Sequence, residues 1–310
     1  MGMQAEIQIK NIAKASKGLS EIKNINLDIH SGEIIGFIGP DGSGKTLLMN
    51  LLTTYTTPDN GSILFNSKNI YNNTEEYKQN IGYLPRTNPL FENMTVSDFL
   101  KLMAKFSKVP QYLLPTRVID TIRTCQLDSV KNSIIRTLSK GAKRRVGIGH
   151  TIIHNPPLLL LDQPTAELDP NQARNIRNLI KSISKERTII IYSQSLDDII
   201  ELCSRIIYIK KGEIVADINV KELLQHSEEN TIYKVQIAPI PQIKAIEELE
   251  CIEGVEKAEI YSEYIYLHCH KDVKIQEQLF HLCGINGWYI NCLTPIEATI
   301  EELLKRQLIN

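Results

Sequence analysis

The sequence predicts an α/β domain followed by a small α+β domain of ferredoxin-like order. In the N-terminal part, a β-branched run at 32–38 is followed by a glycine-rich turn and a helical stretch. Four consecutive leucines at 158–161 are typical of a strand buried on both faces of a parallel sheet. Beyond residue 228 the patterns alternate as strand, helix, strand, strand, helix, strand. We therefore predict a first domain at 1–228 and a second domain at 229–310.

The composition of the 310-residue chain indicates a globular protein, because 42% of its residues are hydrophobic and 23% are charged. Its 35 basic and 36 acidic residues nearly cancel to a net charge of -1, which argues against a general attraction to nucleic acid. No apolar stretch approaches the roughly 18 to 20 residues of a membrane helix, and the six cysteines form no CxxC pair. These features predict a cytoplasmic protein without a nucleic-acid partner, which works at a membrane only if another chain spans it.

The glycine-rich turn carries the first candidate site. The segment "GPDGSGKT" at 39–46 has the spacing G-x-x-x-x-G-K-[ST] between a strand and a helix, where backbone N–H groups form a concavity that holds polyphosphate. We expect Lys45 to contact the β- and γ-phosphates and the Thr46 hydroxyl to take one Mg²⁺ position. The alternative is a turn that binds nothing, but packing gives no reason for Lys-Thr after the last glycine. The predicted phosphate-binding residues are Gly39, Asp41, Gly42, Ser43, Gly44, Lys45, Thr46 and Leu47.

The leucine strand supplies a second part of the same site. An aspartate at the end of such a strand holds Mg²⁺ in P-loop enzymes, and Asp162 has that position, so the predicted metal ligands are Thr46 and Asp162. Upstream, "LSKGAKRR" places Ser139 and Gly141 in a polar turn before a basic helix. Taken alone, this turn is equally well explained as a helix N-cap at Ser139, and the basic run 143–145 as a solvated helix start.

The order "GPDGSGKT", "IGYLPR", "LSKGAKRR", "LLLLDQPT", "AELDP", "IIYSQS" resembles the nucleotide-binding subunit of an ABC transporter, over residues 4 to about 225. More narrowly, "LLTTYTTPDNG" and "LDPNQARNIRNLI" resemble the gliding-motility-associated ATP-binding subunits of Bacteroidetes. The resemblance implies a P-loop NTPase fold of the ABC type, with a mostly helical subdomain at about 87–150. It also implies ATP and Mg²⁺ as cofactors, and a peripheral location on the inner face of the cell membrane, beside transmembrane permease subunits.

In that family two such domains meet head to tail, and each ATP lies between the phosphate loop of one domain and the signature turn of the other. The resemblance therefore implies a second ABC ATP-binding subunit as a partner. Ser139 and Gly141 keep the hydroxyl and the backbone of the signature turn, and Asp169 in "AELDP" keeps the loop that communicates across the dimer.

Four positions depart from the family's pattern. Ser16 stands where an aromatic residue usually stacks on adenine, and Arg86 replaces the glutamine that usually contacts Mg²⁺ and the attacking water. Gln163 replaces the catalytic glutamate, and Gln194 replaces the histidine that usually contacts the γ-phosphate. These substitutions fall in four separate motifs, which predicts a naturally degenerate site rather than a single engineered change.

Each substitution has its own chemical consequence. An amide oxygen is far too weakly basic to accept a proton from water, and a missing general base typically costs on the order of 10² to 10⁴ in rate. Gln194 keeps a hydrogen-bond donor but cannot become a cation. Arg86 brings a permanent positive charge, and the sequence leaves open whether it points toward a membrane partner or reaches the γ-phosphate. We predict a chain that binds ATP and hydrolyses it slowly or not at all, with Gln163, Gln194 and Arg86 at the degenerate catalytic positions.

The retained signature turn predicts an asymmetric heterodimer, in which this chain completes the active site of an intact paralogue. A homodimer is the alternative, as is replacement of the lost contacts at Ser16 and Arg86 by other residues. Two other functions stay open: a nucleotide-sensing module that regulates a membrane or envelope complex without transport, and a soluble translation-type ABC protein. The last is disfavoured because those proteins carry two nucleotide-binding domains in one chain, and only one P-loop occurs here.

The region 229–310 has a separate pattern, whose element order and "TPIEATIEELL" ending resemble the C-terminal extensions of drug- and polysaccharide-exporting ATP-binding subunits. This resemblance implies a role in dimerisation or regulation. The predicted elements are a strand at 231–238, a helix at 241–250, two strands within 255–270, a helix at 275–286, a strand at 287–293 and a closing helix at 295–307. His268 and His270 alternate along one predicted strand without a second ligand pair nearby, so we expect surface histidines rather than a metal site.

Overall fold

The computed structural model describes residues 5–15, 21–223, 230–238, 243–261, 264–270 and 275–297. The chain divides into two compact units, Met1–Asn219 and Val220–Asn310. Ser16 lies outside the described residues, as does most of the predicted closing helix. Within the described ranges, no helix combines the length and the apolar character needed to cross a bilayer.

The first unit contains two sheets with helices between their strands. Its described strands are β1 (Ile7–Lys14), β2 (Ile22–Ile29), β3 (Ile34–Ile38), β4 (Asn60–Phe65), β5 (Lys68–Asn69), β6 (Ile81–Leu84), β7 (Leu158–Asp162), β8 (Thr188–Tyr192), β9 (Arg205–Lys210) and β10 (Glu213–Asn219). Its described α-helices are α1 (Lys45–Leu52), α2 (Thr74–Gln79), α3 (Val96–Phe106), α4 (Leu114–Thr124), α5 (Lys140–Ile152), α6 (Pro170–Ile183) and α7 (Leu196–Leu202).

The larger sheet has the strand order β10-β9-β3-β8-β7-β6. Strands β9, β3, β8, β7 and β6 run parallel, and β10 pairs with β9 as an antiparallel hairpin. Every residue of β7 and β8 is buried, which explains why both read as continuous apolar runs rather than as alternating patterns. The smaller sheet, β2-β1-β4-β5, is antiparallel.

The parallel strands of the larger sheet determine where the candidate site lies. Carboxyl ends of parallel strands meet at one edge of a sheet, and ligands bind in the crevice outside that edge. The loops that follow β3, β6, β7 and β8 contain the glycine-rich turn, Arg86, Gln163 and Gln194, respectively. Four stretches that are far apart in the chain are thereby brought to one edge.

Helices α3, α4 and α5 pack against one another in the range where the sequence predicts a helical subdomain. Helix α3 begins with a reciprocal cap. The Thr95 hydroxyl accepts a hydrogen bond from the Asp98 backbone N–H (3.1 Å) and donates one to the Asp98 carboxylate (2.7 Å). One turn inside the helix, Phe99 is buried and packs edge to face on Phe91 and on His150 of α5.

The second unit is a ferredoxin-like α+β domain. Its described elements are β11 (Asn230–Ala238), α8 (Ile243–Glu250), β12 (Val255–Tyr261), β13 (Tyr264–His270), α9 (Ile275–Asn286) and β14 (Tyr289–Glu297). The sheet order is β12-β13-β11-β14, and every neighbouring pair is antiparallel. Val235, Leu267 and Leu279 lie in the buried core that the sheet shares with both helices. This architecture confirms the fold class predicted for the C-terminal region.

Two predictions in the second unit are wrong. Residues 295–297, predicted to open the closing helix, belong to β14, because they pair with residues 231–233 of β11 and extend its hydrogen-bonded ladder. His268, predicted at the surface, is 5% exposed, whereas His270 is exposed. The burial accords with the place of β13 as an inner strand between β12 and β11, and the Glu259 carboxylate of β12 lies 3.5 Å from the His268 ring.

Candidate functional site

The loop between β3 and α1 depends on glycine at two points. Gly39 has φ 143° and Gly44 has φ 103°, both in the left-handed region. A Cβ at Gly39 would lie 2.0 Å from the carbonyl oxygen of Ile209, and one at Gly44 would lie 2.9 Å from that of Glu21. Glycine is therefore required for the close approach as well as for the backbone conformation. Helix α1 begins directly after Gly44 with no acidic residue in its first turn, which leaves its positive end to an anion.

Lys45 is buried at the floor of this loop. Its ammonium donates hydrogen bonds to the carbonyl oxygens of Gly39 (2.8 Å) and Pro40 (2.6 Å) and to the hydroxyl of Ser43 (2.8 Å). Burial lowers the pKa of Lys45, and the nearby Asp41 carboxylate opposes that shift. These acceptors hold the lysine inside the loop, and phosphate oxygens would replace them with stronger charge-assisted bonds.

Asp162, at the carboxyl end of β7, lines the same cleft as Thr46. The residue is 7% exposed, and its Oδ1 atom makes no hydrogen bond within the described part of the chain. Burial raises the pKa of Asp162, whereas the positive charges of Arg86 and Arg144 and a hydrogen bond from the Arg86 backbone N–H act in the opposite direction. A buried carboxylate oxygen without a donor among the described residues, in the same cleft as the Thr46 hydroxyl, suits the oxygen-ligand preference of Mg²⁺.

Gln163 is held by Tyr192, the last residue of the neighbouring strand β8. Its backbone has φ 47°, and its N–H donates to the Tyr192 carbonyl oxygen at 2.7 Å. The Gln163 side chain is buried and hydrogen-bonds the Tyr192 hydroxyl, while the Tyr192 ring lies 5.3 Å from the Lys45 ammonium. The sequence interpretation missed Tyr192. The available signal was its place at the end of a buried strand, in register with Asp162.

Gln194 links the loop after β8 to the glycine-rich loop. Its side-chain Nε2 donates a hydrogen bond to the Asp41 carboxylate at 2.9 Å. Both residues line the cleft, although 153 positions separate them in the chain. A neutral amide therefore faces the phosphate loop at the position where the family resemblance leads one to expect a histidine.

Arg86 is one of the residues that line the cleft. Its main chain is held on both sides: the N–H donates to the Asp162 carboxylate, and the carbonyl oxygen accepts from the Arg144 guanidinium at 3.2 Å. Arg144 also donates to the Pro85 carbonyl oxygen at 3.4 Å. The Arg86 side chain is exposed and projects from this fixed backbone.

The basic run 143–145 is not a solvated helix start throughout, which corrects the sequence interpretation. Arg144 is 5% exposed, and burial lowers its pKa, opposed by the charges of Glu167 and Asp162. Its guanidinium finds acceptors among the backbone carbonyls of the loop after β6, which sequence patterns do not reveal. Arg144 is thus a buried support of the cleft rather than a surface charge.

The predicted residues form two separate groups. The cleft, of about 540 Å³, is lined by Asp41, Gly42, Ser43, Gly44, Lys45, Thr46, Leu47, Arg86, Asp162, Gln163, Tyr192 and Gln194. Ser139, Gly141 and Asp169 lie elsewhere, at the starts of α5 and α6. Ser139 and Asp169 are the N-caps of these helices, accepting from the backbone N–H groups of Ala142 (3.2 Å) and Gln172 (2.9 Å). Gly141 faces the Gln172 side chain, where a Cβ would lie 3.2 Å from its nearest atom.

A buried carboxylate accepts hydrogen bonds from two of the loops that form the cleft. Asp198 in α7 is fully buried and accepts hydrogen bonds from the hydroxyls of Thr165 and Ser193, the latter at 2.8 Å. Arg177 of α6 pairs with the same carboxylate at 3.2 Å. Since Thr165 follows β7 and Ser193 follows β8, one charged group connects the loop of Gln163 with the loop that leads to Gln194.

Comparison with known proteins identifies the family. Residues 22–166 match the family model described as ABC transporter. The chain is 30% identical over 235 residues to the ABC transporter ATP-binding protein YcbN of Bacillus subtilis, and the match covers 75% of each chain. The chain belongs to the ABC transporter family. This assignment confirms the resemblance read from the motifs, and it makes the chain an ABC transporter ATP-binding subunit.

Solved structures of ABC transporter ATPases share the fold. The structure of cbiO1 from Clostridium perfringens, described as part of the ABC transporter complex cbiONQ, superposes with a TM-score of 0.66 at 26% identity, covering 72% of this chain and 92% of that one. A dimeric ATP-binding cassette in a post-hydrolysis state, bound to ADP and Pi, superposes with a TM-score of 0.61 at 24% identity, covering 69% and 98%. ABC ATP-binding domains bind ATP with Mg²⁺, and the cleft of this ABC transporter subunit offers Lys45, Thr46 and Asp162 for them.

Proposed function

We propose that this ATP-binding subunit binds Mg-ATP in the cleft, closes as a dimer with a second ABC ATP-binding subunit, and thereby drives or gates transmembrane partner subunits, while its own site hydrolyses ATP slowly or not at all. The observation that supports the proposal is Gln163, an amide that directly follows the strand ending in Asp162 and is held by Tyr192. The narrower likeness to gliding-motility ATP-binding subunits rests on sequence motifs and stays a prediction.

The carboxylates that line the described cleft support an inactive site. They are Asp41 and Asp162. Asp41 accepts a hydrogen bond from Gln194, and Asp162 ends the strand where an Mg²⁺ ligand is needed. Gln163 cannot act as a base, because an amide oxygen is too weakly basic. No lining carboxylate is therefore left to take a proton from an attacking water.

The two polar contacts of Gln163 hold it in place without giving it basicity. Its N–H and its side chain are both engaged with Tyr192. The arrangement keeps the shape of the site and removes its proton acceptor. Gln194 adds to this effect, since its neutral amide supplies a hydrogen-bond donor but no positive charge. Such a site retains what binding requires and lacks what hydrolysis requires.

The intact Ser139, Gly141 and Asp169 group supports the second half of the proposal. These residues lie outside the chain's own cleft, at two helix starts that contact each other through Gln172. Helix α5 begins at this turn with basic residues and no acidic residue in its first turn. We propose that this surface faces the ATP of an intact paralogue, which makes an asymmetric heterodimer. The transmembrane partners would hold the pair at the inner face of the membrane.

The test is ATP binding and hydrolysis by the purified chain, alone and in its complex with the paralogue and membrane subunits. We expect binding without turnover by the chain alone, and turnover by the complex that is lost with Ser139→Ala. Gln163→Glu restores a carboxylate, and we expect it to raise turnover at this site by on the order of 10² or more. Brisk turnover by the unmodified chain alone would refute the inactive-site proposal, and failure to recover membrane subunits with the chain would favour a nucleotide sensor.

A further inference from the structure

Arg86 lines the cleft that also contains the two residues that fit a metal ion, Thr46 and Asp162, and hydrogen bonds fix its backbone there. The N–H of Arg86 donates to the Asp162 carboxylate, and its carbonyl oxygen accepts from the buried Arg144. The exposed side chain lines the same cleft as Lys45 and Thr46. A residue with a fixed backbone and an exposed guanidinium thus brings a permanent positive charge to the cleft that contains the phosphate loop.

The charges around this position favour an anion over a second cation. Arg86 and Asp162 line the same cleft, so the carboxylate that would attract Mg²⁺ shares this cleft with a permanently positive group. Lys45 brings a further positive charge into the cleft, and Asp41 and Asp162 are its lining carboxylates within the described chain. A divalent ion entering here meets repulsion from Arg86, whereas the γ-phosphate oxygens meet attraction from both basic side chains.

We infer that Arg86 supplies to bound ATP much of the positive charge that Mg²⁺ otherwise supplies, so that nucleotide binding at this site is nearly independent of Mg²⁺. The inference rests on the proposed ATP-binding function and goes beyond it. Thr46 and Asp162 still offer oxygen ligands, so the site accepts ATP with or without the ion. The effect of Arg86 is to reduce the dependence of the ATP affinity on Mg²⁺.

The chemistry of guanidinium explains why arginine suits this role. Its planar fork presents five N–H donors and matches two phosphate oxygens at once, and it stays charged at every accessible pH. ATP without Mg²⁺ carries more negative charge, and therefore gains more from such a group. If the residue at position 86 were a neutral amide, ATP without Mg²⁺ would meet less positive charge in the cleft, and its affinity would depend more strongly on Mg²⁺.

The experiment measures ATP affinity for the full-length chain by competition with a fluorescent ATP analogue, once with excess Mg²⁺ and once with excess EDTA. For the unmodified chain we expect the two dissociation constants to agree within about threefold. For Arg86→Gln we expect affinity in EDTA to fall by about 10- to 100-fold, the range for a lost hydrogen bond to a charged group. In Mg²⁺ the same variant should bind at least as tightly as the unmodified chain, because the repulsion is gone.

Two further variants keep the test decisive. Arg86→Lys retains the charge without the fork, and we expect it to fall between the unmodified chain and Arg86→Gln in EDTA. Arg123→Gln removes an exposed arginine of α4 that does not line the cleft, and it should leave both constants unchanged. Binding by the unmodified chain that is lost in EDTA, or an Arg86→Gln variant with an unchanged ratio, would overturn this inference alone. Absence of binding in both conditions would overturn the ATP-binding proposal as well.

Discussion

Removing the carboxylate of Asp198 should destabilise the first unit more than any exposed charge does. The side chain is fully buried, and Asp198→Ala leaves three donors without their acceptor: the Thr165 and Ser193 hydroxyls and the Arg177 guanidinium. Removing one partner of a buried ion pair typically costs about 3 to 5 kcal/mol, since the other charge stays buried without compensation. Arg177 keeps its second partner, Glu201, at 3.1 Å, so we expect a loss of about 3 kcal/mol, at the lower end of that range.

The assay is urea unfolding followed by far-ultraviolet circular dichroism, with Glu201→Gln as the matched control. Glu201 pairs with the same arginine, but 37% of its side chain is exposed, so its removal should cost no more than about 1 kcal/mol. Because Thr165 and Ser193 belong to loops of the cleft, Asp198→Ala should also weaken ATP binding, whereas Glu201→Gln should not. Equal stability losses for the two variants would refute the reasoning, as they would show that burial of the Asp198 carboxylate adds nothing.

Two other outcomes are expected. Gly39→Ala should abolish ATP binding, measured by competition with a fluorescent ATP analogue, because the new Cβ would lie 2.0 Å from a backbone oxygen of β9. The control is Gly284→Ala, which adds a Cβ with open space around it and should leave the ATP affinity unchanged. Burial raises the pKa of Cys125 to about 12, so iodoacetamide at pH ~8 should leave this thiol unmodified in the folded chain and should alkylate the exposed Cys251. Peptide mass spectrometry measures the labelling of each cysteine, and equal labelling of both would contradict the packing at the end of α4.

The parts of the site that the sequence predicted are those whose chemistry is local. The glycine-rich turn needs only neighbouring residues, because left-handed backbone at Gly39 and Gly44 and the start of α1 follow within a few positions. Asp162 was predictable for a related reason, since four apolar residues before it mark a buried parallel strand and its carboxyl end. The order of elements in the second unit followed from periodicity in the same way.

The missed features depend on contacts between distant segments. Tyr192 holds Gln163 because β7 and β8 are neighbours in register, which no pattern within either strand reveals. Arg144 was misread as a surface charge because its acceptors are backbone carbonyls of the loop after β6, 58 residues away for Arg86. The burial of His268 was missed because its strand is an inner strand of the sheet, a position that the local sequence pattern does not reveal.

The sequence by itself determined the family, the α/β fold, the phosphate loop and the presence of an amide, Gln163, directly after the buried leucine strand, because each of these depends on a short run of residues with fixed spacing. Only the tertiary structure decided the place of Arg86 at the cleft, the pairing of Gln194 with Asp41, and the buried residues that support the cleft. The physical reason is that these features depend on which strand ends meet at one edge of a sheet, and hydrogen bonds across that edge join residues that the chain itself keeps far apart.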